Sequence, residues 1–369
     1  MRVLVTADTL GGVWTYTREL VRGLLGRGIQ VTLVSFGQIP SEEQSAWMSA
    51  FPALDYRPTG FRLEWMHDAE RDLEDSADYL TDIIKEVKPD LLHLGQYYYG
   101  SLKVEVPRVV VAHSDVLSWW IAVDGAPPPD SAWVRWYRAT VSRGLQDATA
   151  VVAPSRWMLD SLAKNFPLPR RSMVIYNGRD PKLFASYMDK KPSSLLSVGR
   201  LWDSAKNTAL LTQRVHPAQV CIVGSEEHPD EVFRGNVGLR ARPGLEIKGQ
   251  QSERELRLLY ARSSIYAATS RYEPFGLAPL EAALSGCALI ANDIPTFREL
   301  WDDAALFFQS NDADALSQAI RQLASDPELC KSYGRKAYQR ARERYTATRM
   351  VDQYLGLYEN LVGAQVAAA

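Results

Sequence analysis

Short apolar runs alternate with amphipathic helical stretches through most of this chain, a pattern that restricts it to open parallel sheets carrying helices on both faces. In the first half, strands are expected at Arg2–Thr6, Gln30–Phe36, Leu91–Leu94, Arg108–Ala112 and Ala150–Ala153, with helices over Val13–Gly26 and Ala69–Val87. Pro167–Pro192 holds turn formers and polar residues but no long periodic run, which places a domain junction there. The pattern then restarts with strands at Leu195–Gly199, Val220–Gly224, Glu246–Lys248, Ile265–Ala268 and Ala288–Ala291, and turns wholly helical after Asp312. A chain of 369 residues exceeds what one hydrophobic core usually organises. The expectation is α/β throughout, with domains at 1–177 and 178–348 and a last helix in 349–369.

Charge limits the partners. Lys and Arg number 42 against 44 Asp and Glu, so no excess argues for nucleic acid, and any phosphate site must be local. Cys221, Cys287 and Cys330 are scattered without Cys-x-x-Cys spacing, as expected of thiols in a reducing compartment. The N-terminus lacks the form of a signal peptide, and no run approaches membrane-spanning length, so a cytoplasmic protein is expected.

The segment from Ser270 to Gly286 carries the most chemistry. Glu273 and Glu281 flank a Pro-Phe-Gly-Leu turn that opens a helix, with Pro279 suited to its first turn and Gly286 to the position beyond its end. Glu281 is expected in that first turn and Glu273 in the loop before it. The N–H groups around Gly276 and Leu277, at the positive end of the helix dipole, suit a phosphate, while each carboxylate can accept hydrogen bonds from hydroxyls.

With seven residues between the two carboxylates and Pro-Phe-Gly-Leu inside, the segment resembles the signature of retaining glycosyltransferases of family 4. The resemblance implies the GT-B fold, in which two Rossmann-like parallel-sheet domains face a central cleft and a C-terminal helix crosses back to the first domain. It implies transfer of a sugar from a nucleotide donor, UDP- or GDP-linked. Glu281 would hold the ribose hydroxyls, while Glu273 and the amides of Phe275, Gly276 and Leu277 would face the donor sugar and phosphates. No metal and no other cofactor is implied.

Other residues gain meaning beside it. Arg200 ends a strand and Lys206 follows six positions on, a pair able to neutralise a diphosphate and similar to the family's pyrophosphate grip. Many members have Gly after that lysine; here it is Asn207. Gly11-Gly12 follows the first strand without any Gly-x-Gly-x-x-Gly or Walker pattern, so by itself it reads equally as a tight turn or as a ligand approach. The resemblance assigns Gly12 to the donor side and His113, at the end of a strand, to the donor sugar near the reaction centre.

Trp119 and Trp120 lie in a segment dense in Trp and Pro, and Tyr97 is near in sequence. They are candidates for the acceptor side, against the alternative of a loop packed on the core with Trp133 and Trp136 on the inner face of a helix. Asp312-Ala-Asp314 matches a metal-binding Asp-x-Asp but sits where a helix begins, where Asp is ordinary.

The expected activity is metal-independent, retaining hexosyl transfer from a nucleotide sugar to a glycan, lipid-linked or small-molecule acceptor, with a front-face mechanism and a place in polysaccharide biosynthesis. Catalysis is assigned to His113, Glu273, Arg200 and Lys206. Peripheral attachment to the inner face of a membrane stays open. Two other readings share the fold: a sugar-nucleotide 2-epimerase, and a noncatalytic nucleotide-sugar-binding subunit of a glycan-assembly complex.

Overall fold

The computed structural model describes residues 1–185, 193–228 and 239–368. The chain divides into two units, one of Met1–Ile121, Ala126–Gly178 and Ala347–Ala369, the other of Ala122–Gly125 and Arg179–Thr346. The part of the expected junction from 186 to 192 lies outside the described residues.

In the first unit the chain runs β1 (Arg2–Asp8), α1 (Gly12–Leu25), β2 (Gln30–Phe36), α2 (Glu42–Ser45), β3 (Asp55–Pro58), α3 (Glu70–Val87) and β4 (Leu91–Leu94). It continues through β5 (Arg108–Val111), α4 (Val116–Asp124), α5 (Ala132–Asp147), β6 (Ala150–Ala153), α6 (Arg156–Asn165) and β7 (Ser172–Val174). The seven strands are all parallel, in the order β3-β2-β1-β4-β5-β6-β7. Strand periodicity decides which residue meets which layer. Leu4, Val110, Val151 and Ala153 join the core under α3, α5 and α6, whereas their neighbours Val3, Val5, Val109, Val111, Ala150 and Val152 face the opposite layer.

That opposite layer includes α1 and the last helix, α12 (Ala347–Ala368). Met350, Val351, Tyr354, Leu357, Tyr358 and Leu361 of α12 are buried with Trp14, Tyr16, Leu20, Val21 and Leu24 of α1. The expected return of the C-terminal helix to the first sheet is thus present. Each side chain so buried stabilises the packing by roughly 2 kcal/mol relative to exposure.

The second unit runs β8 (Ser194–Val198), β9 (Gln219–Val223), β10 (Leu245–Lys248), α7 (Glu253–Arg262), β11 (Ile265–Ala268), α8 (Leu277–Leu284) and β12 (Ala288–Asn292). After these come α9 (Pro295–Trp301), β13 (Ala305–Phe308), α10 (Ala313–Ser325) and α11 (Pro327–Arg344). Six parallel strands take the order β10-β9-β8-β11-β12-β13. In both sheets the order reverses beside the unit's first strand, and the loops leaving the carboxyl ends there flank a crevice where open α/β sheets bind ligands. Among the described residues, no helix is long and apolar enough to cross a membrane.

Two expectations need correction. The polar stretch before Gly178 is not all connection, because Ser172–Val174 pairs with β6 as an edge strand. The Trp-rich segment is a loop only over 125–131: Val116–Asp124 forms α4, whereas Trp133 and Trp136 do lie on a helix, α5, packed against the core of the first sheet.

Candidate functional site

The reversal point of the second sheet lies between β8 and β11, and the loops that leave these strands carry Arg200, Lys206 and the Glu273 segment. They are laced together by the main chain. Thr269 Oγ1 donates to the Lys206 carbonyl at 2.8 Å, and the Arg271 amide donates to the Ala205 carbonyl at 2.8 Å. Lys206 Nζ then reaches Glu273 Oε2 at 2.7 Å, and Ser270 Oγ donates to the same oxygen at 3.0 Å. An ammonium carries three donors, so the bond to Glu273 uses part of its capacity and leaves the group suited to an anion as well.

Arg200 is the more exposed cation, with 44% of its side chain accessible. Its guanidinium pairs with Asp203 at 2.7 Å and stands 5.0 Å from the centre of the Trp202 ring. Asn207 adopts φ 49° and ψ 32°, a left-handed conformation open chiefly to Gly and Asn, so an asparagine fits the backbone after Lys206. Its Nδ2 donates to Asn311, which also accepts from Asn292; Asn292 in turn donates to the Ser270 carbonyl. The asparagine therefore ties the lysine segment to the loop after β13.

Gly276 precedes α8 with φ 94° and no side-chain cap, so the helix presents its first N–H groups without a competing side-chain acceptor at the cap. A Cβ here would lie 3.2 Å from both Glu273 Cγ and Pro279 Cγ. Gly276→Ala is expected to cost about 1–2 kcal/mol in a denaturant melt, because the left-handed backbone disfavours a side chain. Pro279 falls at the third helical position, where no intrahelical N–H bond is lost. Gly286, at φ 76°, lets the Cys287 amide turn back to the Ala282 carbonyl and close the helix. Phe275 is buried with its ring 5.5 Å from that of Tyr345, so only its main chain can face a ligand. Leu277, half-buried, opens the helix.

Glu281 is not in the first turn. Because the helix starts at Leu277, Glu281 is its fifth residue, and its carboxylate lies one turn in, 2.9 Å from Arg179 Nε. Arg179 is only 1% exposed and also pairs with Glu253 at 2.9 Å. The Glu281 charge, after burial, helps hold the Tyr260 phenol protonated.

In the first unit, Gly12 is the first residue of α1, and the Leu10 amide donates to Asp8 Oδ1 at 2.6 Å in the loop before it. His113 follows β5 with its ring 4.6 Å from Tyr16, and its Nε2 is buried without a hydrogen-bond partner among the described residues. Below it in the core, His93 contacts the Tyr16 hydroxyl through Nε2 at 3.2 Å and the Tyr358 hydroxyl through Nδ1 at 2.6 Å.

Burial pushes both histidines down to about 3, with the nearby His113 adding to the effect on His93. Their folded values lie below the ordinary 6.5, so the unfolded chain takes up the protons first. The stability these neutral rings hold is lost as pH falls from 6.5 toward 3. Nitrogen NMR is expected to show both rings neutral from about pH 8 down to about pH 5, and a midpoint near 6.5 for either would contradict its burial.

The acceptor-side candidates separate. Trp119 and Trp120 are half-buried on α4 with their rings edge to face at 6.0 Å. Tyr97 is a core residue, 4% exposed with its hydroxyl on the Ser114 carbonyl, so its ring is withdrawn from any ligand. Its amide and that of Tyr98 instead donate to Glu64, a buried carboxylate pushed up to about 7 by burial. Asp312 caps α10 through the amides of Asp314 and Ala315, and Asp314 pairs with Arg214.

Two family models tile the chain. Residues 10–183 match "Glycosyltransferase Family 4" and residues 182–340 match "Glycosyl transferases group 1". The chain is of the GT-B glycosyltransferase type. Alpha-maltose-1-phosphate synthase of Mycolicibacterium smegmatis is 26% identical to this glycosyltransferase over 73% of the chain and 76% of its own length. Sucrose-phosphate synthase from Thermosynechococcus elongatus has the same fold at 18% identity, with a TM-score of 0.79 over 99% of this chain and 100% of its own. Anabaena HepE, solved in complex with UDP and glucose, is 15% identical with a TM-score of 0.75 over 98% of this chain and 100% of its own.

Arg179, Tyr260 and Glu64 carry no local signal in the sequence, and His93, which ends an apolar run, carries none of its pairing with Tyr16 and Tyr358. Arg179 directly follows Asn177-Gly178, yet an isolated arginine in a connecting segment carries no periodic signal of burial.

Proposed function

We propose that the chain is a retaining hexosyltransferase that moves a sugar from a nucleoside-diphosphate sugar, UDP- or GDP-linked, to a glycan, lipid-linked or small-molecule acceptor. The supporting observation is the meeting of Lys206, Glu273 and the uncapped start of α8 at the reversal point of the second sheet. The second unit binds the donor. Lys206, Arg200 and the amides of Gly276 and Leu277 receive the diphosphate, Glu273 receives hydroxyls of the sugar, and Glu281 receives the ribose. UDP and glucose in HepE are ligands of the kind this reading requires.

In the step proposed, the bond from the anomeric carbon to the diphosphate oxygen breaks. The acceptor oxygen bonds to that carbon on the same face, and its proton passes to the departing phosphate oxygen. The leaving group gains negative charge, which the two cations and the α8 N–H groups stabilise, a contribution commonly worth several kcal/mol. No metal is assigned a role. His113, held neutral, offers Nε2 to a sugar hydroxyl rather than a charge to the phosphate. Trp119 and Trp120 are assigned to the acceptor, and the enzyme to the cytoplasm or the inner face of a membrane, in polysaccharide biosynthesis.

The test is turnover of UDP-, GDP- and ADP-sugars, with and without a chelator, following the anomeric configuration of the product by proton NMR. Retention without added metal is expected. An inverted product would overturn the mechanism, epimerised donor in the absence of acceptor would favour a 2-epimerase, and binding without turnover would favour a noncatalytic subunit.

A further inference from the structure

We infer that Arg179 is a positioning residue for the donor nucleotide, acting through Glu281; this rests on the ribose role proposed for that carboxylate. Arg179 opens the long segment of the second unit, and Thr346 closes it. These two points are paired side by side. The Arg179 amide donates to the Tyr345 carbonyl at 3.1 Å, and Arg179 and Thr346 form an isolated parallel bridge.

The donor segment leans on this pair from both of its ends. Phe275 sets its ring edge-on against Tyr345, and Glu281 sets its carboxylate against the Arg179 guanidinium. Exposure assigns the roles. With 1% of its side chain accessible Arg179 cannot reach a phosphate, whereas Glu281 at 13% and Glu253 at 31% form the more accessible rim above it. The guanidinium stands 5.3 Å from the centre of the Phe184 ring, and Arg257 pairs with Glu253 at 3.1 Å, which adds a second cation beside the two carboxylates.

A planar guanidinium spanning two carboxylates fixes the direction of each in a way that a single ammonium does not. Ribose recognition by a carboxylate requires such a fixed direction, because two vicinal hydroxyls must both find an acceptor. Arg179 therefore sets the preference of the site for a ribonucleotide over one lacking those hydroxyls, without touching the ligand.

The experiment compares the nucleoside diphosphate among UDP, GDP and ADP that binds the wild type with its 2′,3′-dideoxy analogue, by calorimetry. The proteins are wild type, Arg179→Leu, Arg179→Lys, Glu281→Gln and the Arg179→Leu, Glu281→Gln double variant. Wild type is expected to favour the ribonucleotide by about tenfold or more. Arg179→Leu should lose that preference as fully as Glu281→Gln, the double variant should lose no more, and Arg179→Lys should fall between. Affinity for the dideoxy analogue should hold across the set.

If Arg179→Leu does not fold, Arg179→Lys decides the matter through a reduced preference. Wild-type preference in either folded Arg179 variant, with Glu281→Gln impaired, would overturn the positioning role and leave the ribose role standing. A wild type that binds both nucleotides equally, or none of them, would overturn the ribose role and this inference with it.

Discussion

Glu281→Ala is expected to weaken nucleotide binding by on the order of a hundredfold and to lower stability in the same protein. The first effect follows from losing a charged acceptor for ribose hydroxyls, since hydrogen bonds to charged groups contribute about 1.5–3 kcal/mol. The second follows from what remains. Arg179, 1% exposed, loses one of the two carboxylates its guanidinium spans, and breaking one arm of a buried ion pair typically costs about 3 kcal/mol or more. Calorimetric titration and a denaturant melt read the two effects separately. Unchanged affinity in a folded variant would remove the ribose assignment, and unchanged stability would show that the Arg179 pair contributes little.

Lys206→Ala carries the next largest effect, on turnover. The ammonium is the cation that also holds Glu273, so its removal takes charge from the departing diphosphate and leaves the carboxylate with Ser270. Loss of one such electrostatic group is expected to lower kcat by roughly 10²–10³-fold. Lys206→Arg should recover part of it, limited because the longer, planar guanidinium cannot take the place of the compact ammonium without shifting the loop. A kcat within a factor of about two of wild type for Lys206→Ala would exclude the leaving-group role.

How much of this was legible in the sequence depended on whether the signal was local. Buried parallel strands such as Val109–Val111 and Ala288–Ala291 announce themselves as apolar runs, because both faces are covered. Asp55–Pro58 and Ser172–Val174 do not, since each lies at an edge of the first sheet and is too short and polar to form such a run. The Pro-Phe-Gly-Leu turn was readable because Gly276 and Gly286 punctuate a helix by their backbone conformations. Where that helix starts was not, and one turn's difference moved Glu281 from the helix start to the Arg179 pocket.

Partners distant in sequence were out of reach. Arg179 meets Glu281 and Glu253, and His93 meets Tyr358, across separations that no periodicity encodes. Tyr97 shows the opposite error, a ring near other rings in sequence that the fold turns into the core, with its hydroxyl already bonded to the Ser114 carbonyl.

The donor assignment to the second unit is tested most directly by calorimetric titration of the wild-type protein with UDP, GDP and ADP, repeated with Glu281→Gln and Lys206→Ala. One nucleoside diphosphate is expected to bind the wild type and to lose affinity in both variants. Binding of none, or binding that both folded variants leave unchanged, would contradict a donor site built on Glu281 and Lys206.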